Sequence, residues 1–208
     1  MRALLTGLIL LALAPAALAA TGAFEDRSLP RRSGVSSASR IEPRFSTVAA
    51  SLSGKRSEVR CWSKADWARI NGEHIASGDN LDYVGGFYRP PGTHVQLEPS
   101  ICADLVALVY RHLRPTGAAA VPLALAVDTL AHESMHRRGF VNEATTECYA
   151  VQLVYRTARE LGIPTGYAAT LHALNWRVGY PAHPSQYHSP QCRNGGRLDL
   201  NPSSSRWP

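Results

Sequence analysis

The chain has 208 residues, with 22 Lys and Arg against 16 Asp and Glu, 4 Cys and a net charge of +6. The basic excess comes with no nucleic-acid recognition motif. It argues against a nucleic-acid partner and for, at most, weak attraction to anionic envelope polymers or lipid headgroups.

Arg2, the apolar run 4–14 and Ala17-Leu18-Ala19 make the pattern of a secretory leader, so residues 1–19 are expected to be cut off on export. No later segment is apolar enough to cross a bilayer, and a soluble, exported, monomeric chain is expected. Residues 20–54 carry Arg27, Arg31, Arg32, Arg40 and Arg44 among several serines, with little apolar periodicity. They are expected to form a disordered basic linker. Residues 55–208 are long enough for a single domain with a real core and an extended C-terminal tail.

Residues 58–62 alternate polar and apolar and predict a short strand. Ser63-Lys64-Ala65-Asp66 resembles an N-cap opening a helix through Trp67 and Ile70. Residues 81–89 and 94–97 are strand-like, joined by Pro90-Pro91-Gly92, and a small antiparallel sheet is expected. From Ser100 the pattern turns helical, with Ile101, Leu105, Leu108 and Val109 on one stripe. Leu123, Val127 and Leu130 mark the next helix, with Pro122 in its first turn and an end near Arg138. Asn142 caps a third, with Tyr149, Leu153 and Val154 on its apolar side, ending at Leu161-Gly162. Residues 164–178 make a fourth, and a loop-rich tail follows from Gly179. The class is α+β, with about four helices.

The second of these helices contains His132-Glu133-Ser134-Met135-His136. On a helix, positions i and i+4 share a face, so His132 and His136 can hold one metal ion between their imidazoles. Glu133 stands beside the first ligand, where a carboxylate can take a proton from water. Asp128, four residues before His132, is placed to accept the other imidazole N–H. A helix ending near Arg138 and one starting near Asn142 form a tight hairpin. That hairpin brings Glu143 and Glu147, i,i+4 neighbours, opposite the two His, and pairing alone leaves both open as third ligand.

This stretch resembles the active-site helix of the zincin metallopeptidases. Asn142-Glu143-Ala144-x-x-Glu147 further resembles the second metal helix of the gluzincins, which reads N-E-A-x-x-D. The resemblance covers about two dozen residues and implies an HExxH helical hairpin in a zincin-like fold. It implies Zn2+ held by His132, His136 and Glu143, with Glu133 as general base and Glu147 orienting the first His. The implied activity is hydrolysis of peptide bonds in a peptide or protein substrate, through a zinc-activated water. Only six residues separate His136 from Glu143, where the family has a longer insert. A rival alignment, H-E-x-x-H-x-x-G-x-x-N, sets Asn142 where metzincins have a third His. The block also resembles a group of secreted proteins of high-GC bacteria, which adds no function. The alternative is a non-catalytic, disulfide-stabilised secreted protein whose zinc is structural and closed by a fourth ligand such as Glu147.

An oxyanion donor would come from His172, Arg177, His183, Tyr187 or His188, none of them in a recognisable motif. The four cysteines of an exported chain predict two disulfides. Cys61–Cys102 and Cys148–Cys192 are favoured because each ties a peripheral segment to the core. Cys148 as a soft metal ligand is disfavoured, because its helical phase, one past Glu147, turns it away from the site.

Overall fold

The computed structural model describes residues 38–76 and 85–208, all within one compact unit spanning 32–208. The leader, the linker up to residue 37 and the first residues of the strand expected at 81–89 lie outside the described residues.

The linker assignment fails from Arg40 onward. β1 (Arg40–Ile41) leads into α1 (Pro43–Ser53), whose Phe45, Val48, Ala49 and Leu52 are all buried in the main core. Those four positions are spaced i, i+3, i+4, i+7, the stripe of a core-facing helix. The polar residues that disguise it tie the helix in place. Ser46 Oγ accepts from the Val59 N–H at 2.8 Å, and Arg44 donates to the Leu161 carbonyl at 2.7 Å.

β2 (Glu58–Cys61), β3 (Gly86–Tyr88) and β4 (His94–Leu97) complete a sheet of order β1-β2-β4-β3. The sheet is mixed rather than antiparallel. β4 turns back from β3 after residues 89–93 and runs parallel to β2, with Val59 beside Val95 and Cys61 beside Leu97. The chain can do this because α2 (Lys64–Ala76) lies in the crossover between β2 and β3. Ser63 caps α2 as expected, accepting from the Asp66 N–H at 3.1 Å.

α3 (Pro99–Tyr110), α4 (Val121–Arg138), α5 (Glu143–Glu160) and α6 (Thr165–Leu174) bring the helices of ten or more residues to six among the described residues, above the four expected. α4 is the hub, packing against α1, α3, α5, α6, β3 and β4. From Leu123 to Met135 it is buried on nearly every side, and Ala124, Ala126 and Ala131 let its neighbours approach closely. α4 stops at Gly139, whose φ of 129° is a conformation that favours glycine. The Gly139 N–H donates to the Met135 and His136 carbonyls. Asn142 Oδ1 then accepts from the Thr145 N–H at 3.0 Å and starts α5. Four residues thus fold α5 back along α4.

Both favoured disulfides form, with sequence separations of 41 and 44. Each is worth on the order of 3–4 kcal/mol in the chain-entropy account. Cys148–Cys192 anchors a tail more ordered than expected. The tail contains α7 (Tyr180–Ala182) and a short 3₁₀ turn at Ser185–Tyr187. Gln152 clips it further, donating to the Leu198 carbonyl at 2.8 Å and accepting from the Leu200 N–H at 2.8 Å. No described helix is long and apolar enough to cross a membrane.

If α1 belongs to the core, Phe45→Ala lowers unfolding free energy by about 3–5 kcal/mol in denaturant titration. A linker residue would leave it unchanged.

Candidate metal centre

His132 and His136 project from the last turns of α4 toward the first turns of α5, from which Glu143 and Glu147 project back. His132 Nε2 lies 2.9 Å from His136 Nε2 and 3.1 Å from Glu143 Oε2. His136 Nε2 lies 3.3 Å from the same oxygen. The far side of each ring is committed. His136 Nδ1 is 2.7 Å from the Phe140 carbonyl, and His132 Nδ1 is 2.8 Å from Glu147 Oε2.

These partners assign the tautomers. A carbonyl oxygen only accepts, so His136 Nδ1 carries the hydrogen. Burial works to raise the Glu147 carboxyl, but the hydrogen bond from His132 and the His132 and His183 charges together hold the group below its ordinary value. It is therefore ionised and accepts the His132 Nδ1–H. In the neutral rings both Nε2 atoms then present lone pairs, and they present them to each other. Glu143 adds a third. Burial lifts its carboxyl, but His132 and His136, when their rings carry a proton at Nε2, bring it down to about 2, so it is ionised.

Three lone pairs meeting at about 3 Å require a cation between them. A proton is the minimum, and Glu143 and Glu147 do raise His132 well above its ordinary value despite burial. Zinc fits better. Bonds of about 2.0–2.1 Å in a tetrahedron separate ligand atoms by about 3.3–3.4 Å, near the spacing of all three atoms. Two neutral imidazoles and one carboxylate are an ordinary donor set for that ion. Among the described residues, this cluster of possible ligands contains these three and no fourth.

Glu133 is 4 % exposed. Burial raises its carboxyl above the ordinary range, and its Oε2 has no hydrogen-bond partner. It faces two open cavities of about 290 and 360 Å³ that share His132, Glu133, Gly86 and Tyr187 in their walls. β3, the terminal strand of the sheet, forms one side of the cleft. Gly86 makes this approach possible. A Cβ there would sit 3.0 Å from Glu133 Cγ and 2.6 Å from the Gln96 carbonyl oxygen.

Of the five expected oxyanion donors, the cavities include Tyr187 and His183, while His172, Arg177 and His188 line neither. The Tyr187 ring lies 5.7 Å from the His132 ring. Burial first, then the Glu143, Glu133 and Glu147 carboxylates, push its phenol up to about 12, so it remains a hydrogen donor. Cys148 is disulfide-bonded and packs with Val151 and Cys192 in a cluster of its own.

Asp128 does not do what its position suggested. The His132 ring turns its Nδ1 across to α5, where Glu147 takes it, and Asp128 is left facing Glu147 and the tail. Burial and the Glu147 charge push the Asp128 carboxyl up to about 7. His183 approaches this pair, its Nε2 3.3 Å from Glu147 Oε1 and 3.7 Å from Asp128 Oδ2. No local signal in the sequence marked this contact, because it joins α4 to a residue 55 positions later in an irregular segment.

Comparison with known proteins finds no matching family model, no similar curated protein and no similar solved structure.

Gly86→Ala drives a methyl into the Gln96 carbonyl of β4 and against the Glu133 side chain of α4. The expected result is a loss of about 1–3 kcal/mol in thermal or denaturant unfolding, with the Glu133 side chain displaced in a crystal structure of the variant. Parent stability with Glu133 in place would refute the close approach.

Proposed function

We propose that this chain is an exported, zincin-like peptidase that hydrolyses peptide bonds with one zinc ion held by His132, His136 and Glu143. The observation that carries the reading is the meeting of three committed lone pairs beside an unpartnered, buried carboxylate at the floor of an open cleft. When bound, zinc would supply Lewis acidity toward a substrate carbonyl and toward water.

The chain's own residues do the rest. Glu147 and the Phe140 carbonyl hold the two imidazoles in the tautomer that turns Nε2 toward Glu143. Glu133 receives the proton of the attacking water and returns it to the leaving amine. Its raised carboxyl suits both halves of that exchange, because a base near working pH takes and gives protons readily. Tyr187, kept protonated, donates a hydrogen bond to the oxygen on which charge develops. β3 and the tail bound the cleft on either side and limit water around the reacting bond. Export follows from the leader-like N-terminus, and the two disulfides agree with an oxidising compartment.

A structural site closed by Glu147 as fourth ligand is less favoured, since Glu147 Oε2 engages Nδ1 of His132, the nitrogen remote from the convergence. A carboxylate like Glu133 would also serve no purpose there.

Glu133→Gln keeps the shape and removes the base. The zinc-loaded variant should fold, retain its metal and cleave an unfolded protein substrate about 10²–10⁴-fold more slowly than the parent. Equal cleavage by parent and variant would sink the reading.

A further inference from the structure

Behind the His132 ring lies a second convergence, separate from the three donors above. Asp128 of α4 and Glu147 of α5 are 2 % and 1 % exposed. His183, just after α7, points its Nε2 at both, 3.3 Å from Glu147 Oε1 and 3.7 Å from Asp128 Oδ2. Ligand atoms of the three residues lie within 4.8 Å of one another.

Hydrogen bonding accounts for this group only in part, since Asp128 interacts with both His183 and Glu147. Glu147 uses Oε2 for His132, and its Oε1 has no hydrogen-bond partner. Asp128 Oδ1 and His183 Nε2 have none either. Two carboxyl groups are thus almost fully removed from water, each with one oxygen that no hydrogen bond reaches. Buried carboxylates in that condition are costly unless a cation meets them. The two spacings from His183, 3.3 and 3.7 Å, come close to the roughly 3.0–3.6 Å that bonds of about 2.0–2.2 Å place between neighbouring ligands. The cavity of about 290 Å³ that reaches all three residues has room for waters to complete the coordination.

We propose that Asp128, Glu147 and His183 bind a second divalent cation, which clamps the C-terminal tail to the α4–α5 pair. One imidazole and two carboxylates suit a first-row ion such as zinc or manganese rather than calcium, which takes six to eight oxygens. The ion fastens the tail four residues before Tyr187 and nine before Cys192, the tail's disulfide anchor. Glu147 then serves both centres, one oxygen on His132 and the other on the clamp. This site needs neither His136 nor Glu143, so it stands apart from the peptidase reading.

The test is zinc titration into the metal-free, disulfide-intact full chain, followed by calorimetry and by metal analysis after dialysis, with circular dichroism confirming the fold of each variant. The parent should bind two equivalents. His183→Ala and the isosteric Asp128→Asn should each bind one fewer, and His136→Ala should lose the other equivalent. One equivalent in the parent, lost in His183→Ala but kept in His136→Ala, would support the clamp and remove the peptidase centre. The clamp is overturned if His183→Ala and Asp128→Asn bind as many equivalents as the parent, or if the parent binds none.

Discussion

Two imidazoles with their Nδ1 atoms already committed can offer only lone pairs at Nε2, and here those two nitrogens are 2.9 Å apart. Everything nearby serves to maintain that opposition. The four-residue turn at Gly139 sets the register that places Glu143 against His136 and Glu147 against His132. The Phe140 carbonyl, freed by the end of α4, fixes one ring, and Glu147, buried on α5, fixes the other. A small, positively charged species resolves the arrangement. Moving any one of these groups would let a ring rotate and the repulsion disappear.

Such a polar cluster survives inside a protein because its scaffold is stiff. α4 is enclosed by four helices and two strands, and its alanines bring them close enough to leave little space for rearrangement. Asp128, His132 and Glu133 therefore sit on a rod that cannot relax toward solvent. The less regular parts approach this rod from outside. β3 arrives at Gly86, and the tail arrives with His183 and Tyr187, held down by Cys148–Cys192 one residue beyond Glu147. Rigid side chains on a buried helix and groups on a tethered tail divide the cleft between them.

The helical hub was legible because its information is local. The i,i+4 histidines, the Leu123–Val127–Leu130 stripe and the Asn142 cap follow from spacing, and the presence of two disulfides from compartment. What escaped was non-local or disguised. Phe45, Val48, Ala49 and Leu52 form a full stripe, but the arginines and serines between them resemble linker composition until those side chains are seen bonding to β2 and α5. The parallel pairing of β2 with β4 depends on the α2 crossover, which strand propensity does not encode. Asp128 was misassigned because helical spacing predicts which residues share a face, and not which of two carboxylates a ring will turn toward. His183 joined the site through the path of the tail, and nothing in its neighbours announces that path.

The central claim concerns protons on rings, and nitrogen NMR reads them directly. In long-range ¹H–¹⁵N spectra of the ¹⁵N-histidine-labelled, zinc-loaded chain, His132 and His136 should both show protonated Nδ1 and metal-shifted Nε2. An Nε2–H signal on either ring, or rings that ignore the addition of zinc, would contradict the account.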